Sequence, residues 1–390
     1  MAYNLSMTRF LMLSVLAASL AMAQAPSFVK EATVHNNPAL LISNDKLELA
    51  VALRGGSMIR LLLQGDEDKL SPFGNPERFS TEASQKPRSV IGHFICVDGF
   101  GPASAEERKA GLPMHGEARA LPWGSMVSGK TGGTASVTLS VKLPLVQETL
   151  SRTFQVVDGE SVIYVDSELE SHLGFDRPVN WGEHATLGSP FLEPEKTIVD
   201  MSGRRSKTRS YPDTPAQSRR RLTSFQDFTW PAAPSKNGGA IDLSGVPAKP
   251  DSLDHTTTLM DPSRRLVYVT ALNTARQYVL GYVFRREEYP WLQNWMSYPA
   301  TLWMQRGVEF ATQPFDVPRR EAITLNSMFD TPTYRWLPAM SKISSRFLMF
   351  YVKTPAGMSK IDDVRMEGGK IIVEDRTAGK QIVLAASLPL

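Results

Sequence analysis

Residues 151–171 read SRTFQVVDGESVIYVDSELES. Two runs rich in Val, Ile, Phe, Tyr and Thr flank Asp158-Gly159, and glycine takes a positive φ cheaply, so the stretch predicts an antiparallel hairpin. The same grammar recurs on both sides. ASVTLSVKLPL at 135–145 alternates polar and apolar residues as a half-buried strand does, and RRLVYVTAL, QYVLGYVFRR, GVEFATQPF and SRFLMFYV read as further strands. KIIVEDRTAGKQIVLAASL at 370–388 gives one more hairpin, with Gly379 in its turn. Gly and Pro, 27 of each, punctuate these runs. No window of about 12 residues carries an i, i+3, i+4, i+7 apolar face, so helices should be few and short. The expectation is an all-β chain, one large antiparallel β-sandwich with two many-stranded sheets face to face.

The N-terminus places Arg9 ahead of an apolar run from Phe10 to Leu20, followed by the small-x-small triplet Ala21-Met22-Ala23. Residues 1–23 therefore read as a signal peptide, which makes the mature chain exported, to a periplasm or beyond the cell. No later run approaches the roughly 20 apolar residues of a membrane-spanning helix, so the processed chain is not expected to be an integral membrane protein. Residues 24–390 read as one domain with a polar insertion at about 201–253. Within it, SGRRSKTRSYPDTPAQSRRRL at 202–222 carries seven basic side chains against one Asp. A solvated loop and a site for acidic saccharides or membrane headgroups both remain open. The net charge of +3 gives no case for nucleic acid as a partner. The single cysteine, Cys96, excludes an intramolecular disulfide framework and any multi-cysteine metal site, and its HFICV setting reads as a buried thiol.

Chemistry-bearing residues gather in three places. RSVIGHFICVDGFGPASAEERKAGLPMHGEARALPW spans 88–123, NWGEHATLGSPFL spans 180–192, and GVEFATQPF spans 307–315. A lone His115 in a Gly-rich turn, a lone His184 or a lone Glu309 on a strand is ordinarily structural. In sequence order, however, the three segments resemble the galactose mutarotase-like proteins, the aldose 1-epimerase and hexose-6-phosphate 1-epimerase superfamily. There a strand of the type GGxPxCFPWFG runs into a loop ending P-x-HGFAR-x-x-x-W; the counterparts here are Gly92, Cys96, Phe100-Gly101, Pro113, His115-Gly116-Glu117-Ala118-Arg119 and Trp123. His184 matches the second histidine, in the branch that reads EHxxxGxPFL, and Glu309 the late strand glutamate.

The resemblance implies a sandwich that binds a mono- or oligosaccharide and interconverts its anomers, with no cofactor or metal. Glu309 would be the base and His184 the acid, on opposite sides of the sugar, while His115 and Arg119 would hydrogen-bond the substrate. Trp291, Trp295, Tyr298 and Trp303 offer aromatic faces, of which Trp295 and Trp303 are taken as ligand contacts. The family's arginine ahead of Gly-Gly is missing, since Val90 and Ile91 stand there with Arg88 displaced, and Asp98 occupies a position that shapes the family's pocket. His93 could enter the site or be a satisfied strand histidine. Two alternatives stay open: a catalytically silent carbohydrate-binding protein on the same fold, and a polysaccharide lyase-like enzyme using Tyr298, His115 and arginines.

Overall fold

The computed structural model describes residues 29–74, 92–211, 214, 217–300 and 303–390. The expected signal peptide and the Arg88, Val90 and Ile91 departures lie outside these. Two antiparallel sheets, one of eleven strands and one of eight, hold most of the strand residues of the described chain. The only helices among the described residues are Ala105–Lys109 and Arg319–Leu325. None is long and apolar enough to cross a membrane.

The predicted hairpin is formed by Glu148–Val157 and Val162–Ser171 in the eight-stranded sheet, with Val156 opposite Ile163 and Gly159 at φ 84°. Polar–apolar alternation becomes alternating burial along Thr134–Leu143, because successive strand side chains point to opposite faces. Apolar side chains of the two facing surfaces, Phe154, Val165, Leu187, Val308 and Phe310 among them, fill one large core cluster.

That core also encloses an ionic group. Glu183 accepts from His93 Nε2 at 2.9 Å and from Arg152 at 3.0 Å, all three side chains fully buried. His93 is thus a strand histidine on the core face, paired through Nε2, and does not enter the cavity. Burial of a charge is costly unless it is paired, which explains why the three occur together.

Two regions differ from expectation. The described residues of 201–253 are more than a plain polar loop: Gly203–Thr208 adds to the eleven-stranded sheet beside Ser252–Met260, and Leu222, Trp230, Leu243 and Val246 join the main core. The C-terminal hairpin gains a third strand, making a sheet of Asp363–Glu367, Lys370–Asp375 and Lys380–Ala385. Its Val364, Ile371 and Val373 bury a second apolar cluster with Val162, Tyr164, Leu348 and Phe350 of the eight-stranded sheet.

Candidate functional site

Four neighbouring strands of the eleven-stranded sheet, His93–Val97, Trp181–Gly188, Gln305–Ala311 and Trp291–Tyr298, build the floor of a cavity. Their register sets Phe94 opposite His184, His184 opposite Glu309, and Trp295 opposite Gly307. The next strand brings His255 opposite Trp295. Since Ile95, Ala185, Val308 and Phe310 of these strands enter the sandwich core, their odd-parity neighbours Phe94, His184 and Glu309 project from the other face of the sheet. Loops cover that face and close a cavity of about 340 Å³. Phe94, His115, Arg119, His184, Trp295 and Glu309 line it, together with Met114, Thr186, His255, Gln305 and Asp316. The volume lies at the small end of the range for small-molecule sites, suited to about one ring.

The HGEAR stretch is held by its own chemistry. Gly116 has φ 79°, and a Cβ there would sit 2.1 Å from the Val97 carbonyl oxygen, so glycine alone lets the loop lie on the strand. The buried Glu117 carboxylate accepts from the Leu145 and Val146 amides at 3.2 and 3.1 Å, while Trp123 Nε1 donates to the Ala118 carbonyl at 2.9 Å. His115 and Arg119, on either side of these anchors, reach the cavity.

His115 Nδ1 accepts from the Gly101 amide at 3.2 Å, which assigns its proton to Nε2. Burial, helped by the Arg119 charge, pulls its pKa down to about 3, so it is a neutral donor at ordinary pH. The Arg119 guanidinium lies 4.6 Å over the Phe94 ring, and His184 stacks on the same ring at 4.3 Å. Cys96 is buried and its thiol is pushed well up by burial, consistent with an inert role.

His184 Nε2 lies 3.1 Å from Glu309 Oε1, and its Nδ1 is 2.9 Å from the Thr186 hydroxyl. The two side chains expected on opposite sides of a sugar therefore stand side by side, because they are directly cross-strand neighbours. The contact is close but poorly aligned, since Glu309 Oε1 has no well-directed hydrogen-bond donor. Burial raises the Glu309 pKa well above the usual carboxylate range, with the Asp316 charge adding to it. Burial lowers that of His184 well below the usual value, with the charges of His115 and Arg119 next. Desolvation thus favours the neutral pair, a carboxylic acid beside an imidazole. Gly307 makes room for this arrangement: a Cβ there would lie 2.0 Å from Glu309 Oε1.

The remaining expectations divide. Trp295 lines the cavity, whereas Trp303 is 42% exposed and outside its lining. Trp291 and Tyr298 are fully buried away from it, Trp291 donating to the Pro332 carbonyl at 2.9 Å. Asp98 does not shape the cavity either; it is buried against Arg177.

Sequence reasoning missed a network on the opposite wall. Asp316 Oδ1 lies 3.2 Å from His255 Nδ1 and accepts from Arg209 Nε at 2.8 Å, while the Tyr211 hydroxyl is 2.9 Å from the same His255 nitrogen. The Asp316 pKa falls far below the carboxylate range because the opposing charges and hydrogen bonds of His255 and Arg209 outweigh burial, the largest single influence. His255 Nε2 is buried without a hydrogen-bond partner. A His at an alternating strand position was the one available signal.

Among the described residues no cluster of His, Cys, Asp and Glu could hold a metal ion. The fold agrees with known structures. A galactose mutarotase-like protein from Clostridium acetobutylicum superposes with a TM-score of 0.60 at 12% identity, over 83% of this chain and 98% of that one. The galactose mutarotase related enzyme from Lactobacillus acidophilus gives 0.55 at 11% identity, over 84% and 100%. A galactose mutarotase-like protein from Lactobacillus casei gives 0.55 at 12%, over 80% and 100%. No family model matches the chain, and no curated protein matches it in sequence. The chain has the galactose mutarotase-like fold, an all-β sandwich.

Proposed function

We propose that this chain binds a saccharide in the cavity and interconverts its anomers, an aldose 1-epimerase-type reaction. The observation that carries the reading is the Glu309–His184 pair, 3.1 Å apart on a cavity floor with Arg119 and the His115 Nε2–H beside it. Anomerisation takes the proton from the C1 hydroxyl and delivers one to the ring oxygen. Both oxygens are bonded to C1, so two adjacent side chains serve them better than two opposed ones.

The one proton of the neutral pair passes from the Glu309 carboxyl to His184 when the sugar is bound; Glu309 then takes the proton of the C1 hydroxyl as base and the His184 imidazolium gives its proton to the ring oxygen as acid. The C1–O5 bond breaks as O5 is protonated, the aldehyde turns about C1–C2, and the same groups reverse their roles on the other face. One transferable proton on the pair suffices, and Thr186 can accept from or donate to His184 Nδ1 as the imidazole changes state. Arg119 presents a planar fork to two neighbouring hydroxyls, and His115 donates one hydrogen bond. We place the chain outside the cytoplasm on the strength of residues 1–23; phosphosugars are scarce there, which favours a neutral or acidic sugar.

Polarimetry of freshly dissolved α-galactose and α-glucose tests the reading. The wild type should accelerate the approach to equilibrium, and Glu309→Gln and His184→Ala should each lower the rate by about 10²–10⁴-fold. Binding without acceleration in the wild type would leave a silent carbohydrate-binding protein.

A further inference from the structure

The basic run at 202–222 has no part in the anomer chemistry, yet it borders the site. A second cavity, of about 350 Å³, is lined by Arg209, Tyr211, Gln217, Arg220, Ser224 and Lys236, with Leu222 as its apolar member. Arg209 and Tyr211 hold Asp316 and His255, which line the first cavity, so one layer of side chains divides the two.

We propose that this second cavity is an anion-binding subsite, and that the saccharide turned over carries an oxyanion, a uronate carboxylate or a sulfate ester, next to the reacting ring. The inference rests on the proposed function for turnover but stands by itself for binding.

Among the described residues, positive charge is left over after internal pairing. Of the basic residues in the run, Lys207 pairs with Asp227, Arg209 with Asp316 and Arg221 with Asp254. No carboxylate among the described residues lies within ion-pair distance of Arg220, and none lines this cavity. The two nearby carboxylates are already committed: Asp254 also accepts from the Arg221 amide at 2.9 Å, and Asp316 is shared by Arg209 and His255.

Arg220 is also oriented. Its guanidinium lies 3.2 Å over the Tyr211 ring, and its Nε donates to Gln217 Oε1. A guanidinium stacked on Tyr211, which is also its hydrogen-bond partner, and fixed through Nε is held in one orientation, and a planar fork so held suits carboxylate and sulfate. Burial lowers the Arg220 pKa, so an incoming anion would relieve an under-compensated cation. Lys236, exposed at the rim, adds attraction without committing to one geometry.

The test compares galactose, galacturonic acid, digalacturonic acid and galactose 6-sulfate, with anomer exchange followed by NMR and binding by calorimetry. For wild type, kcat/KM should favour an acidic sugar over galactose. In Arg220→Gln that ratio should fall about 10- to 100-fold, carried by KM, the scale of one lost charge-assisted bond. Lys236→Gln, at an exposed position where folding is not at risk, should give a smaller drop in the same direction. The carboxylate and sulfate arms identify which oxyanion is read. An acidic-to-neutral ratio unchanged in both variants, with galactose still turned over, overturns the subsite and leaves the anomerase reading standing. No turnover of any sugar, with Arg220-dependent binding of digalacturonate, upholds the subsite and removes the anomerase. Neither binding nor turnover overturns both.

Discussion

Gly307 fixes where the Glu309 carboxylate can sit, since any Cβ there meets Oε1 at 2.0 Å. Gly307→Ala should therefore keep the fold and displace the carboxylate. A displacement of about 1 Å in a reacting group costs on the order of 10²-fold, so kcat/KM for galactose should drop by that much while circular dichroism stays unchanged. The opposed shifts of Glu309 and His184 set the pH profile of the same pair. Between the lowered pKa of His184 and the raised pKa of Glu309 the pair holds one proton; a second proton below that window removes the base, and loss of the first above it removes the acid. The mutarotation rate should stay flat through neutrality, with no inflection near the ordinary histidine value; a half-rate point close to pH 6.5 would contradict the buried pair. At this scale His115, Arg119, His184 and Glu309 were legible because each sits in a motif with its own spacing. His255 and Asp316 were not, because only strand pairing and a loop bring SLDHTTTLM and Asp316 together.

Strands could be read, their partners could not. Alternation in Thr134–Leu143 marks a strand with one buried face, and Asp158-Gly159 marks a turn, but nothing local says that His93–Val97 lies beside Trp181–Gly188, which in turn lies beside Gln305–Ala311. The insertion misled for a related reason: Gly203–Thr208 is basic and polar, yet its pairing with Ser252–Met260 is satisfied by backbone hydrogen bonds that side chains do not advertise. Another junction between elements yields a stability prediction. At the start of Glu148–Val157, Glu148 shares Arg177 with Asp98, whose other oxygen is 3.5 Å from Arg319 Nε. Burial, then the Asp98 charge, raises Glu148 to about 9 against the opposing Arg177. A carboxyl that keeps its proton when folded contributes stability that is full below the unfolded value, near 4.5, and is lost as pH rises toward 9. Urea midpoints of the wild type should decline from pH 5 to pH 9, by at most about 1.4 kcal/mol per pH unit from this group. Glu148→Gln, which mimics the protonated form, should flatten that decline; equal slopes in both proteins would remove Glu148 as its source.

The two largest apolar clusters of the described residues lie on opposite sides of the eight-stranded sheet. One fills the sandwich, and the other lies under the C-terminal three-stranded sheet. The candidate site is farther away still, on the outer face of the eleven-stranded sheet, with the whole sandwich core between. Sequence pattern suggested two packed sheets but not this extra layer, because a terminal hairpin with alternating residues looks the same whether it extends a sheet or covers one. The layering separates stability from function. Ile371, fully buried in the outer cluster, packs among residues none of which lines the cavity. Truncating a buried Ile to Ala removes its apolar surface and leaves a void, a cost of about 2–5 kcal/mol. Ile371→Ala should lower the urea midpoint accordingly, while the mutarotation rate per folded molecule, measured well below that midpoint, should match the wild type. A rate that falls in step with stability would mean that the outer sheet and the site communicate through the core, and the sandwich would then have to be treated as one mechanical unit rather than a rigid partition.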